Sequence, residues 1–363
     1  MRVLFLHETP SWTGAARVVA AAALGLARRG WTVTVVCLAE SEVEARMAGR
    51  GLEVLPMDPD ASLAARALAL RRIALDRSIN LVFCDGVREQ RLAAVASRIG
   101  GAAVVVRRLR AGERLTTHRT DRVFLRAAPT GHLFTAAAAV GDGVVPRRAL
   151  PASAADLGVE PSVHDAVRPV ARASLGATTG RLVVCAYDER ARPRVGAVLR
   201  TMALLAPRHP ELRLAIVGPG SDAEDVRMHA AALGITRVVS HLGDRTDYLA
   251  VLRAADVGWV TAIGDDAAWA YLDLMALRIP VLAERDALAQ HYVADGIAGL
   301  LLPPDDPAAT AATVAQFLAR DEHRVAMGNA GRARVAREFT EEAMVDGFAH
   351  AAKAAMAAVR GQR

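Results

Sequence analysis

The chain has 363 residues, 53% hydrophobic but only 4% aromatic, and a formal charge of +6 in which Lys353 is the only lysine. That length suits two domains of ordinary size with cores of Ala, Val and Leu. The positive charge is dispersed arginine rather than a basic run interleaved with aromatics, so a nucleic-acid partner is not expected, whereas attraction to anionic phosphates on a substrate or a membrane surface is compatible with it.

Cys37, Cys84 and Cys185 lie in apolar runs without metal-ligand spacing and read as small buried hydrophobes in a reducing compartment. The histidines are scattered, with no HxxxH spacing, and no metal is expected. No charged segment followed by an apolar one opens the chain, and no apolar run is long enough to span a bilayer. The expectation is a cytoplasmic protein, at most peripheral at the inner membrane face.

The first apolar run, residues 2–7, leads through a loop (Glu8 to Gly14) into a helix pattern from Ala15 to Arg29, which Gly30 ends before a strand at Thr32–Leu38. The first turn of such a unit is where open parallel sheets bind ligands. Gly14 there would let a phosphate approach the backbone N–H groups of the helix start, or would simply serve the turn. Strand patterns follow at Leu52–Leu55, Leu81–Cys84, Ala102–Val106 and His132–Thr135, with helical ones at 62–77 and 88–99. This alternation predicts an α/β, doubly wound parallel sheet. After Val106 stand Arg107 and Arg108, read either as a bidentate cradle for an acceptor phosphate or carboxylate, or as a solvated basic loop.

From Ala149 to Gly158 the pattern loses periodicity, which places a domain boundary. The expected division is 1–160, 161–340 and a final Ala-rich helix within 341–363. The second part starts again with a strand, Leu182–Ala186, then a helix at Ala197–Leu205, a strand at Leu212–Val217, a helix to Leu233, a strand at Val238–His241, a helix at Tyr248–Ala254 and a strand at Gly258–Thr261. The loop Tyr187 to Arg194 brings Arg190, Arg192 and Arg194 close in sequence, and an extended loop would put them on one face.

Gly264 to Val281 holds the sharpest pattern. Asp265 and Asp266 suit a helix N-terminus, Trp269, Leu272 and Ala276 recur at helical spacing, and a strand starts near Ile279-Pro280-Val281. Asp273 lies one turn from Trp269, so it must be hydrogen-bonded, face a cleft or sit on a solvated flank.

This stretch resembles the donor-site signature of family-4 glycosyltransferases: two carboxylates with seven residues between them, then Ala-Met-Ala-like residues and a Pro-Val strand start. Asp265 and Asp273 keep that spacing with shorter side chains. Gly14, Ala15, Arg17 and Val18 are similar to the family's first loop, and the second half matches in Leu214 to Gly220, Ala254 to Val257, Asp295-Gly296, Gly299 to Pro304 and Ala330 to Arg332. The family's phosphate-binding Arg/Lys pair falls on Asp188 and Pro193, its strand-end histidine is absent at Arg107-Arg108, and its Gly-Gly loop reads Ala287-Leu288.

The resemblance implies a GT-B fold, two Rossmann-like domains facing across a cleft, with the last helix crossing back onto the first domain. It implies transfer from a UDP- or GDP-linked sugar to a glycan or lipid acceptor, with retained configuration and no metal or other cofactor. Asp265, Arg107 and Arg108 are then the catalytic candidates, and Gly14, Arg190, Arg192, Arg194 and Asp273 the donor-binding ones. The alternative is a silent GT-B scaffold or a regulatory partner of an active transferase.

Overall fold

Arg2–His7 (β1) is buried at every position but its first, as expected of a strand covered on both faces. The computed structural model in which it is an interior strand describes residues 1–98, 103–113, 124, 127–135, 152–154, 156–159, 168–304 and 306–361. Residues 149–151 and 155 of the predicted boundary segment, and also His118 and Asp305, lie outside the described residues. Two compact units result: Met1–Gly158 with Glu341–Arg363, and Val159–Thr340.

In the first unit β1 is followed by Gly14–Arg28 (α1), Thr32–Leu38 (β2), Glu42–Met47 (α2), Glu53–Met57 (β3), Leu63–Asp76 (α3), Leu81–Cys84 (β4), Val87–Arg98 (α4), Val104–Leu109 (β5), Thr130–Phe134 (β6) and Ala152–Ala154 (β7). The sheet order is β3-β2-β1-β4-β5-β6-β7, all parallel. The order reverses between β1 and β4. Open α/β sheets bind ligands outside the carboxyl ends of the strands at such a reversal. The short helix α2 has no predicted counterpart. Its signal was present in Ser41 and Glu44: the Ser41 Oγ accepts the Glu44 N–H at 3.1 Å.

The last helix, Glu341–Gly361 (α13), belongs to the first unit despite its position in sequence. Phe348 inserts beside Phe5 and Phe83, the latter pair stacked with centroids 4.9 Å apart. Close approach to α1 depends on Gly25: a β-carbon there would lie 2.3 Å from a Val345 methyl.

The second unit contains Arg168–Ser174 (α5), Leu182–Ala186 (β8), Arg192–Leu205 (α6), Arg213–Val217 (β9), Glu224–Ala232 (α7), Val239–His241 (β10), Tyr248–Ala254 (α8), Val257–Val260 (β11), Gly264–Ala276 (α9), Val281–Glu284 (β12), Ala287–Tyr292 (α10), Gly299–Leu302 (β13), Pro307–Leu318 (α11) and Asp321–Glu338 (α12). Its parallel sheet runs β10-β9-β8-β11-β12-β13, the same winding, with the reversal between β8 and β11. Asp256 anchors this unit: its carboxylate accepts from Arg168, Arg172 and the Leu182 N–H. Asp295 does the same at the other side, accepting from Arg285 and the Leu301 N–H.

Candidate active site

At the reversal of the second sheet, two loops meet. Tyr187 to Ala191 leaves the end of β8 and closes a 3-10 turn over Glu189–Ala191, while Thr261 to Ile263 leads from β11 into α9. Asp188 caps the turn, accepting the Arg190 N–H at 3.0 Å, and its carboxylate also receives the Arg190 guanidinium. The same guanidinium donates from Nη2 to Asp266 Oδ2 at 2.5 Å. Hydrogen bonding to Asp188, ahead of the nearby Asp266 charge, pushes the Arg190 pKa above its ordinary value.

The expectation of an extended loop with three arginines on one face is corrected here. Pro193 sits in the first turn of α6, where its fixed φ and missing N–H are tolerated, so the helix starts at Arg192 rather than at Ala197. The guanidinium groups then diverge. Arg192, half exposed, pairs with Asp225 on α7, and Arg194 reaches Glu284 at the end of β12 at 3.5 Å and Asp286 just beyond it at 2.8 Å. All three are therefore held by carboxylates.

Asp265 and Asp273 are both buried on α9, at 4% and 2% exposure, so Asp273 is not on a solvated flank. Asp265 stands in the first turn, where the helix N-terminus favours a negative charge. Gly14 opens α1, buried, with Thr13 capping the helix, and its backbone lies outside the left-handed region. The loop thus does not need glycine for its turn.

In the first unit the predicted pair is not a solvated loop. Arg107 and Arg108 are the fourth and fifth residues of β5 and are 3% and 2% exposed. Arg107 binds Gln90 and Glu113, and Arg108 binds Asp85 and Thr135. Arg107 also faces His132 across the β5–β6 register. Burial first, and then the Arg107 charge, hold His132 down to about 4, so it is neutral at physiological pH.

The sequence reading missed what these arginines surround. A pocket of about 870 Å³ opens at the carboxyl ends of β1 and β4, lined among others by Glu8, Asp85, Arg88, Glu89 and Arg110. Arg66 secures Glu8 at 2.6 Å, and Arg110 reaches Asp85 at 3.3 Å. Burial alone would raise the Asp85 carboxyl, but Arg108, Arg110 and His7 outweigh it and hold it below the usual range. Glu89 goes the other way: burial, with the Asp85 charge adding to it, raises its pKa. Two carboxyls pushed apart in one pocket can hold one proton while keeping one charge. The available signal was three arginines at a strand end, which need carboxylates if buried.

Among the described residues no cluster of His, Cys, Asp and Glu is arranged to hold a metal ion. Residues 172–334 match the model of the family described as glycosyl transferases group 1. The match covers less than half of the chain and lies within the C-terminal unit, Val159–Thr340.

The chain is 32% identical over 140 residues to a D-inositol 3-phosphate glycosyltransferase of Corynebacterium jeikeium (strain K411), covering 36% of the chain and 33% of that relative. To the protein of the same name from Corynebacterium efficiens it is 30% identical over 184 residues, 48% of the chain and 43% of the relative. The chain thus spans less than half the length of these curated relatives. A structure of Anabaena Alr3699/HepE in complex with UDP and glucose is similar at a TM-score of 0.79 with 18% identity, covering 96% of this chain and 98% of that one. That likeness shows the fold: two Rossmann-like α/β domains of the GT-B type.

Proposed function

We propose that the protein is a glycosyltransferase that moves a sugar from a UDP- or GDP-linked donor to a hydroxylated acceptor, a glycan, a lipid headgroup or a polyol phosphate. The observation that carries this reading is the group 1 match over residues 172–334, together with a ligand-sized pocket at the reversal point of the first sheet. Relatives named for inositol phosphate transfer support an anionic polyol as acceptor.

On this reading the donor lies against α9, with Asp273 toward the ribose and Asp265 toward the sugar. Arg190 is the guanidinium best placed to neutralise the leaving diphosphate, since it already sits at the helix N-terminus where anions are favoured. Gly14, buried at the start of α1, is the donor-binding candidate of the first unit. The acceptor enters the Asp85–Glu89 pocket, with Arg107 and Arg108 fixing its carboxylates rather than touching substrate. Transfer retains the anomeric configuration and proceeds without a metal. Peripheral contact with an anionic membrane face suits the arginine-rich surface. Among the described residues no helix is long and apolar enough to cross a membrane.

A second reading has one observation in its favour. Arg190, Arg192 and Arg194 are each engaged by carboxylates, so a scaffold that no longer turns over a donor would look the same. Incubation with UDP- and GDP-sugars and inositol phosphate, with product detected by mass, separates the two. A glycosylated product insensitive to EDTA supports the enzyme, and absence of product and of donor hydrolysis supports the scaffold.

A further inference from the structure

The carboxyl of Glu89 differs from every other acid in its pocket. Glu8, Asp85 and Glu113 each have a guanidinium within an ion-pair distance. Glu89 is 5% exposed, and its Oε1 accepts the Glu8 backbone N–H at 3.3 Å. No guanidinium bonds it among the described residues. The carboxyl occupies the space above Gly86, where a β-carbon would lie 2.5 Å from Glu89 Oε2. Gly86 therefore leaves room for the acid to lodge between the ends of β1 and β4. Beside it Arg88 is exposed, lines the same pocket and has no carboxylate partner among the described residues.

Resting on the transferase reading, we propose that Glu89 is an acceptor-recognising residue: its carboxyl hydrogen-bonds a hydroxyl of a polyol that carries one anionic group, and Arg88 holds that group. The charge inventory favours this ligand. Glu8, Asp85 and Glu113 each already have a guanidinium partner, whereas Arg88 lines the pocket without a carboxylate partner among the described residues and so offers its charge to an anion. A protonated carboxyl both donates and accepts, which matches a hydroxyl. Once ionised it would stand beside the Asp85 charge and repel an anion. Burial keeps it protonated to higher pH than an ordinary glutamate. His7, which faces Asp85 from β1, is the other group that could titrate there.

Calorimetric titration of the full chain with inositol monosulfate, whose charge is constant from pH 5 to 9, tests the assignment, with unsulfated inositol and UDP run in parallel. The wild type is expected to lose affinity for the sulfate by roughly tenfold as pH rises through the Glu89 titration, the change that one unit of pKa coupling produces. Glu89→Gln should bind at all pH values about as the wild type does at low pH, and Arg88→Ala should lose the preference for sulfated over unsulfated inositol. A pH slope unchanged in Glu89→Gln, which would point to His7, overturns the proposal. So does an unchanged preference in Arg88→Ala, or a wild type that binds neither polyol. If the polyols behave as expected and UDP does not bind, the transferase reading fails while the recognition site stands. UDP binding without polyol binding gives the reverse.

Discussion

Arg190 joins Asp266 across the point where the second sheet reverses, so that one 2.5 Å hydrogen bond ties the loop after β8 to the first turn of α9. A guanidinium already shared between Asp188 and Asp266 must loosen one of them to meet a diphosphate. Asp266→Asn is therefore expected to raise UDP affinity about threefold or more, and Arg190→Ala to lower it about tenfold, the scale of one charged hydrogen bond. Arg192→Ala, at an exposed pair with Asp225, should change it less than twofold. Isothermal titration reads all three.

Asp273 is buried near the end of the same helix. Asp273→Asn keeps its shape and removes its charge. UDP affinity is expected to fall more than about tenfold, the loss of a charge-assisted pair, with an unchanged circular-dichroism spectrum. Affinity retained by Asp273→Asn would leave the residue a purely structural role.

The Asp85–Arg108 pair sets an acid limit on the first unit. Its carboxyl is held below the ordinary aspartate value, so the stability it contributes is present above that value and is lost as pH falls through the depressed one. Asp85→Ala leaves the Arg108 guanidinium buried without its charge partner, at a cost of about 3–5 kcal/mol near pH 7. The gap between variant and wild type in urea unfolding should narrow at strongly acid pH. A gap that stayed constant down to that pH would contradict the assigned linkage.

Gly25 tests how the C-terminal helix is held. Gly25→Ala pushes a β-carbon into Val345, 2.3 Å away, and overpacking of that kind costs about 1–3 kcal/mol. Val345→Ala in the same chain should recover part of the loss, because it opens the space. Denaturant titration of the single and double variants measures the coupling.

The fold was largely legible because period and punctuation agree: apolar runs such as Leu182–Ala186 and Leu81–Cys84 are strands to the residue. The motifs Ala254 to Val257 and Asp295-Gly296 also carried real information, though of a structural kind, since Asp256 and Asp295 bind backbone N–H groups and arginines. The site was less legible. Sequence spacing cannot show that a helix starts at Arg192 and that the three neighbouring arginines turn to different acids. Nor can it pair Arg108, on β5, with Asp85, 23 residues earlier and just past the end of the adjacent β4. Buried charge is satisfied through tertiary contacts, and those are written in topology rather than in local pattern.

The central claim is that the C-terminal unit holds a nucleotide-sugar. Thermal unfolding with UDP, GDP and ADP tests it most directly. Saturation at a hundredfold excess over the dissociation constant adds about 2.7 kcal/mol, which for a unit of this size raises Tm by roughly 5–10 °C. A saturable rise with UDP or GDP is the predicted result, and a Tm unmoved by all three nucleotides would contradict it.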